Sequence, residues 1–289
     1  MRTAIQALTV LLPSAYLLAA ILHGMAFGGD RAPQVDGPRR IVLRVTLIAH
    51  LVGFVLRALV LGHFPVNDVW STLSAVAMCA AGLFLVVARR STVASEDASV
   101  ARDVSYAGTG GVVLGLVSLL QLIASAFGPT DFVPRAGGMG TYQVLHVATS
   151  VLAAAALVLS GVHGILYLLL FRQMRARRFG PLFAHLPDLD VLARMTRSSA
   201  LSGFLFLTVG MNVGIAMAHA EKSVGFRYAQ PEVLLSIVLW IHFGVIAFSR
   251  HIRGFSARRA SFAAAGGLVA LLLSLMFILF PGISFHSRL

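Results

Sequence analysis

The chain has 289 residues, 58% of them hydrophobic and only 12% charged, with a mean hydropathy of +0.86. A soluble domain carries roughly a quarter charged residues, so composition alone excludes an ordinary water-soluble globular protein. The net charge of +12 raises nucleic acid as a partner, but the basic residues fall in alternate loops between apolar stretches. That is the pattern of membrane orientation rather than of a basic binding face, and no nucleic-acid partner is expected.

A helix crosses a hydrocarbon core of about 30 Å with about 20 apolar residues. Stretches of that kind lie near 4–27, 41–61, 69–88, 109–127, 144–171, 199–219, 231–249 and 262–280. Backbone groups in lipid must bond within their own segment, so these are helices. The expected fold class is all-α, a polytopic bundle of eight transmembrane helices. The connections are tight enough that residues 1–289 form a single transmembrane domain. Sixteen of the 23 basic residues follow spans one, three, five and seven, five lie on the other side, and Arg44 and Arg57 lie within span two. Basic loops stay cytoplasmic, so both termini are expected to be periplasmic in a multi-pass protein of the bacterial inner membrane. Span one reads as a retained helix, since no positive run precedes it and no small-residue cleavage site follows it. The single cysteine, Cys79, lies mid-span and reads as packing.

The longest inner connection, 172–198, reads as a basic turn followed by a short amphipathic helix on the lipid surface. Leu189, Leu192 and Met195 would face the membrane, and the PDLD segment offers N-cap residues. On the outer side, 62–68, 128–141 and 220–232 are rich in Gly, Pro and aromatic residues, which suits a short cap over the bundle.

Ten histidines punctuate the spans. His63 and His185 lie in loops and read as solvated. His219 ends span six and reads as a cap. His23, His163 and His242 lie inside spans, where a buried imidazole bonded to a carbonyl one turn back is the plain reading. Four others carry more. His50 is deep in span two, with Arg57 two turns further on the same face, about 10 Å away. An arginine there needs an anion or a polar cavity; a haem propionate, Asp68 or a lipid phosphate would serve. His251 closes span seven on the inner side. His146 opens span five, and His286 follows span eight, both on the outer side. Two pairs at two depths suit the axial ligation of haem iron and a relay across the membrane, although ten histidines in eight helices allow many pairings.

Several stretches resemble the cytochrome c assembly family of the CcsA and HemX type, in particular its short eight-helix inner-membrane members. PVNDVWSTLS (65–74) is similar to the family's external segment leading into a helix, and the stretch 144–170 looks like its long central helix. LPDLDVLARMTRSSALSGFLFLTVGMNVGIAMA (186–218) resembles the inner amphipathic segment and the helix after it. PEVLLSIVLWIHFGVIAFSRHIRGFSARRA (231–260) is similar to the tryptophan-containing helix and its arginine-rich ending. The resemblance covers essentially the whole chain and implies that His50, His146, His251 and His286 are the haem-iron ligands. One segment departs from it. Where members that attach haem carry a tryptophan-rich external motif, this chain has VGFRYAQPE (224–232), with Phe226 and Tyr228 in place of tryptophans.

The expectation is a haem-handling membrane protein of c-type cytochrome biogenesis, with haem b as cofactor or cargo. Haem would be taken at His50 and His251, with Arg57 on a propionate, and held near His146, His286, Phe226 and Tyr228. Other cytochrome c assembly proteins and an apocytochrome c are the expected partners, alongside the lipid bilayer. With no nucleophile, catalytic carboxylate pair or phosphate loop, the chain is not expected to be an enzyme on its own. The alternative is a regulatory or scaffolding membrane protein of tetrapyrrole synthesis, HemX-like, without bound haem. A third reading, a b-type cytochrome oxidising quinol, is weakened because no helix carries two histidines at a face-sharing spacing of about two to four turns, apart from His146 and His163 at 17 apart.

Overall fold

The computed structural model describes residues 1–25, 32–66, 68–93, 99–129, 140–177, 180, 186–220 and 231–279. Among these the chain is all-helical: α1 Arg2–Met25, α2 Ala32–Leu61, α3 Val69–Val93, α4 Ser99–Phe127, α5 Thr141–Arg175, α6 Leu189–Ala220, α7 Pro231–Ala247 and α8 Ala257–Leu279, with a short 3-10 turn at Ser249–His251. Six of these helices, α1 to α6, are long and apolar enough to cross a bilayer, and Val233–Ala247 of α7 is a shorter apolar helix.

The surface confirms an apolar surrounding medium. On α1, Val10 is 73% and Leu11 60% exposed, while Tyr16 and His23 are buried. A soluble helix puts its apolar stripe inward; here large aliphatic side chains face outward and the polar ones face inward, as lipid requires.

Most helices run past the apolar stretches that announce them. Hydropathy marks the length that lipid covers, whereas a helix continues until its backbone is broken. Thus α4 starts ten residues before its apolar core at 109, and α6 starts at Leu189 rather than 199. At the latter end the Leu192 amide donates to the Asp188 carbonyl at 3.0 Å. The expected separate surface helix is therefore the first turns of α6. Leu192 and Met195, expected to face lipid, are buried, because they sit on the stripe by which α6 packs.

The chain gathers into two compact units, Met1–Gly138 with Leu166–Leu192, and Met139–Ile165 with Ala193–Leu289. In the first, α1 packs on α2 and α4, and α3 packs on α2 and α4, closing a ring of four helices. Asp68 caps α3, its carboxylate accepting from the Ser71 amide at 2.8 Å. Pro13 interrupts the α1 ladder, and its own carbonyl accepts from Ser118 Oγ of α4 at 3.0 Å.

In the second unit about the first seven turns of α5, with α6, α7 and α8, form another ring. Helix α5 lies against α8 where Gly161 meets Leu268 and where Gly164 approaches the Ser261 carbonyl. It lies against α6 where Gly203 meets Leu157. Helix α6 meets α7 through Phe204, stacked on Trp240 with centroids 5.1 Å apart, and Trp240 Nε1 donates to Thr208 Oγ1 at 2.7 Å. With no aqueous driving force between helices, close approach over small residues and a few interhelical hydrogen bonds hold such a bundle.

Candidate functional site

His146 sits in the second turn of α5, half-buried. Its Nδ1 lies 2.8 Å from the Gly210 carbonyl of α6. A carbonyl only accepts, so Nδ1 carries the proton and donates it, and Nε2 is left with its lone pair. The ring also rests against Gly214, where an added Cβ would come within 2.9 Å of Nδ1. The bare glycine is what lets the imidazole lie flat on α6. One ring nitrogen is thus fixed by a backbone carbonyl, and the other makes no hydrogen bond.

His50 is placed otherwise. It is buried in the first unit, with Nδ1 3.0 Å from Tyr16 Oη and Nε2 3.0 Å from Ser74 Oγ. Ser74 Oγ donates its proton to Gln121 Oε1 at 2.9 Å. The serine must therefore accept from His50, so His50 Nε2 carries the proton and Nδ1 accepts from the Tyr16 hydroxyl. Gln121 Nε2 then donates to Ser125 Oγ at 3.1 Å. Four helices are joined by one chain of bonds running in a single direction. It leaves His50 no free lone pair, so iron ligation there would require the chain to open.

Arg57 and His50 do line one cleft, with Thr9, Ser74 and Gln121 as its other polar walls. Arg57 Nη2 donates to Thr9 Oγ1 at 2.8 Å. The cleft's enclosed volume is about 20 Å³, room for about one water molecule. In this arrangement it does not accommodate a haem macrocycle.

His251 ends the 3-10 turn after α7 and is exposed. It lies in the second unit and His50 in the first. His286, Phe226 and Tyr228 lie outside the described residues, as does His185. Among the intramembrane histidines the plain reading holds for His23, whose Nδ1 donates to the Ala19 carbonyl one turn back at 2.8 Å. His242 instead bridges helices, Nε2 donating to the Ala263 carbonyl of α8 at 2.9 Å. His219 bonds the Ile215 carbonyl at 2.9 Å. His163 is buried with neither ring nitrogen bonded. Sequence reasoning missed Tyr16, Ser74 and Gln121 as partners of His50. The usable signal was a glutamine and a serine in the middle of apolar spans, where a lone polar group needs company.

Comparison with known proteins agrees with the resemblance read from the sequence. The family model described as cytochrome C assembly protein matches residues 41–286. The chain is 23% identical over 295 residues to the cytochrome c biogenesis protein CcsA of Synechococcus sp. (strain CC9902), covering 95% of this chain and 94% of that protein. It is 22% identical over 233 residues to the protein of the same name in Chlamydomonas reinhardtii, covering 78% of this chain and 61% of that one. It is also 25% identical over 191 residues to the protein HemX of Brevibacillus brevis, covering 65% of each. With its helices matched from α2 to beyond α8, this multi-pass helical chain belongs to the cytochrome c assembly protein family.

Proposed function

We propose that this protein handles haem in the maturation of c-type cytochromes, holding it at the end of the bundle where α5 begins. The observation that carries the reading is His146, whose Nδ1 is tied to the Gly210 carbonyl and whose Nε2 is open. Such second-sphere tethering fixes the ring tautomer and raises ligand basicity. His286 is the proposed second axial ligand, and Phe226 and Tyr228 the aromatic platform beside it, with smaller faces than tryptophan would give. Haem, when bound, supplies the iron and vinyl groups to be joined to a cytochrome; this chain's residues bind and orient it. An apocytochrome and its reduced cysteines come from partner proteins of the same pathway.

The proposed topology has eight spans in a bacterial inner membrane, with both termini in the periplasm, since sixteen basic residues lie on one side against five on the other. His146 then faces outward, and His251 marks the cytoplasmic side as the point where haem is first met. His50 with Arg57 enters only through an opened form of the first unit, in which the Tyr16 and Ser74 bonds are exchanged for iron and Arg57 meets a propionate. The likeness to HemX supports a second reading, a regulatory or scaffolding role without bound haem.

A visible absorption spectrum of the purified protein, with and without dithionite, separates the two. A Soret band that shifts on reduction is expected. It should be lost in His146→Ala and in His286→Ala and kept in His242→Ala, whose ring nitrogen is spent on the Ala263 carbonyl. Absence of haem in the wild type, or loss in His242→Ala alone, overturns the assignment.

A further inference from the structure

Four polar side chains in the second unit are buried and have no hydrogen-bond partner: His163, Ser199, Ser249 and Ser261. Their exposures are 0, 3, 2 and 0%. Isolated polar groups in a membrane bundle cost free energy, and hydroxyls on helices usually avoid the cost by bonding the carbonyl four residues back. Thr9, Thr46, Thr149, Ser202 and Thr208 all do so here. These three serines do not.

The helix register brings them to one depth. Gly164 of α5 abuts the Ser261 carbonyl of α8, next to His163. Ser160 Oγ of α5 donates to the Thr196 carbonyl of α6 at 2.9 Å, and two turns along α6 Gly203 meets Leu157; Ser199 lies between these two contacts. Phe204 of α6 meets Gly244 of α7 and Phe248 just after that helix, and Ser249 is the next residue. The four groups thus lie about level with residues 157–164 of α5, a span of roughly 10 Å. His163 is 17 residues beyond His146, roughly 25 Å along the helix at 1.5 Å per residue, so the layer is separate from the proposed haem end. It borders the surface, because Arg250 and His251 directly after Ser249 are exposed.

We propose that His163, Ser199, Ser249 and Ser261 line a small hydrated site inside the second unit that binds ordered water admitted beside Arg250 and His251. Water fits the chemistry. A neutral imidazole offers one donor and one acceptor, and each hydroxyl offers both, so bridging waters satisfy every group. A bare cation does not fit, since the four groups bring no negative charge to offset it.

The test uses the full-length protein in detergent with Cys79→Ser as background. Ser199→Cys and Ser261→Cys are reacted with a small water-soluble methanethiosulfonate, and Ala156→Cys, at an equally buried apolar position of α5, is the control. Modification of both serine positions at least tenfold faster than the control is expected. In parallel, His163→Leu and Ser261→Ala are melted singly and together. Each is expected to lower the melting temperature, with the double variant losing less than the two shifts combined and His163→Gln recovering most of the loss. Labelling no faster than the control, or a rise in melting temperature for His163→Leu, would show dry, unconnected groups and overturn the proposal.

Discussion

Gly214→Ala isolates the tethering of His146 from the presence of His146. A Cβ at 214 would lie 2.9 Å from Nδ1 and 3.0 Å from Cε1 of the ring, whereas carbon contacts settle at about 3.5–4.0 Å. The ring must retreat by roughly 0.5 Å or more, which carries the 2.8 Å bond to the Gly210 carbonyl beyond about 3.2 Å, the useful limit for N–H···O. Losing that bond costs about 1 kcal/mol, and replacing glycine by alanine inside a helix returns about 0.5–1 kcal/mol. The two nearly cancel, so the melting temperature in detergent should hardly move. Haem affinity should fall, because second-sphere partners of a ligating histidine are worth about 10–100-fold. Haemin titration followed at the Soret band measures this directly. Gly266→Ala, where an added Cβ meets nothing within 4 Å, is the matched control and should leave affinity unchanged. If Gly214→Ala binds haemin as tightly as the wild type, Nδ1 tethering does not prepare His146 for iron.

Three further outcomes are expected. Ser74→Ala removes the central link between His50 and Gln121 and strands two buried groups, so it should destabilise the protein by about 1–2 kcal/mol; Tyr16→Phe removes only one bond and should cost less, and equal or no shifts in detergent melting curves would contradict the directed chain. Reporter fusions at Arg178 and Gly138 should read cytoplasmic and periplasmic respectively, and a cytoplasmic signal at Gly138 would reverse the topology. Co-expression with a CXXCH apocytochrome in a host without its own maturation proteins should yield no covalently haem-stained product, because Phe226 and Tyr228 give a weaker platform than tryptophans; stained apocytochrome would contradict that.

The helices were legible because lipid imposes a length on each apolar stretch, and the chain states that length plainly at, for example, 109–127. Helix ends were not, because nothing in hydropathy says where a backbone leaves lipid and stays helical. Residues 189–198 illustrate the difference. Their apolar spacing announced an amphipathic surface helix, yet Leu192 and Met195 are buried. The same periodicity serves a face packed on protein and a face lying on lipid, and only the neighbouring helices decide between them.

The histidines show a finer limit. From the sequence His50 and His146 had equal standing, each an imidazole in or at the end of a span. What separates them is where one proton sits. On His146 a carbonyl fixes it to Nδ1 and leaves Nε2 open; on His50 a serine that must itself donate to Gln121 fixes it to Nε2, and a tyrosine takes the rest. Those partners lie 64 residues from His146 and 24 and 34 residues from His50, so they exist only once the helix registers are set. The sequence does hold the polar residues, since Ser74 and Gln121 interrupt apolar stretches and Gly210 and Gly214 recur at one-turn spacing. A polar residue inside a span is thus a claim on another one, and pairing those claims across helices is the step by which a ligand is told from a structural histidine.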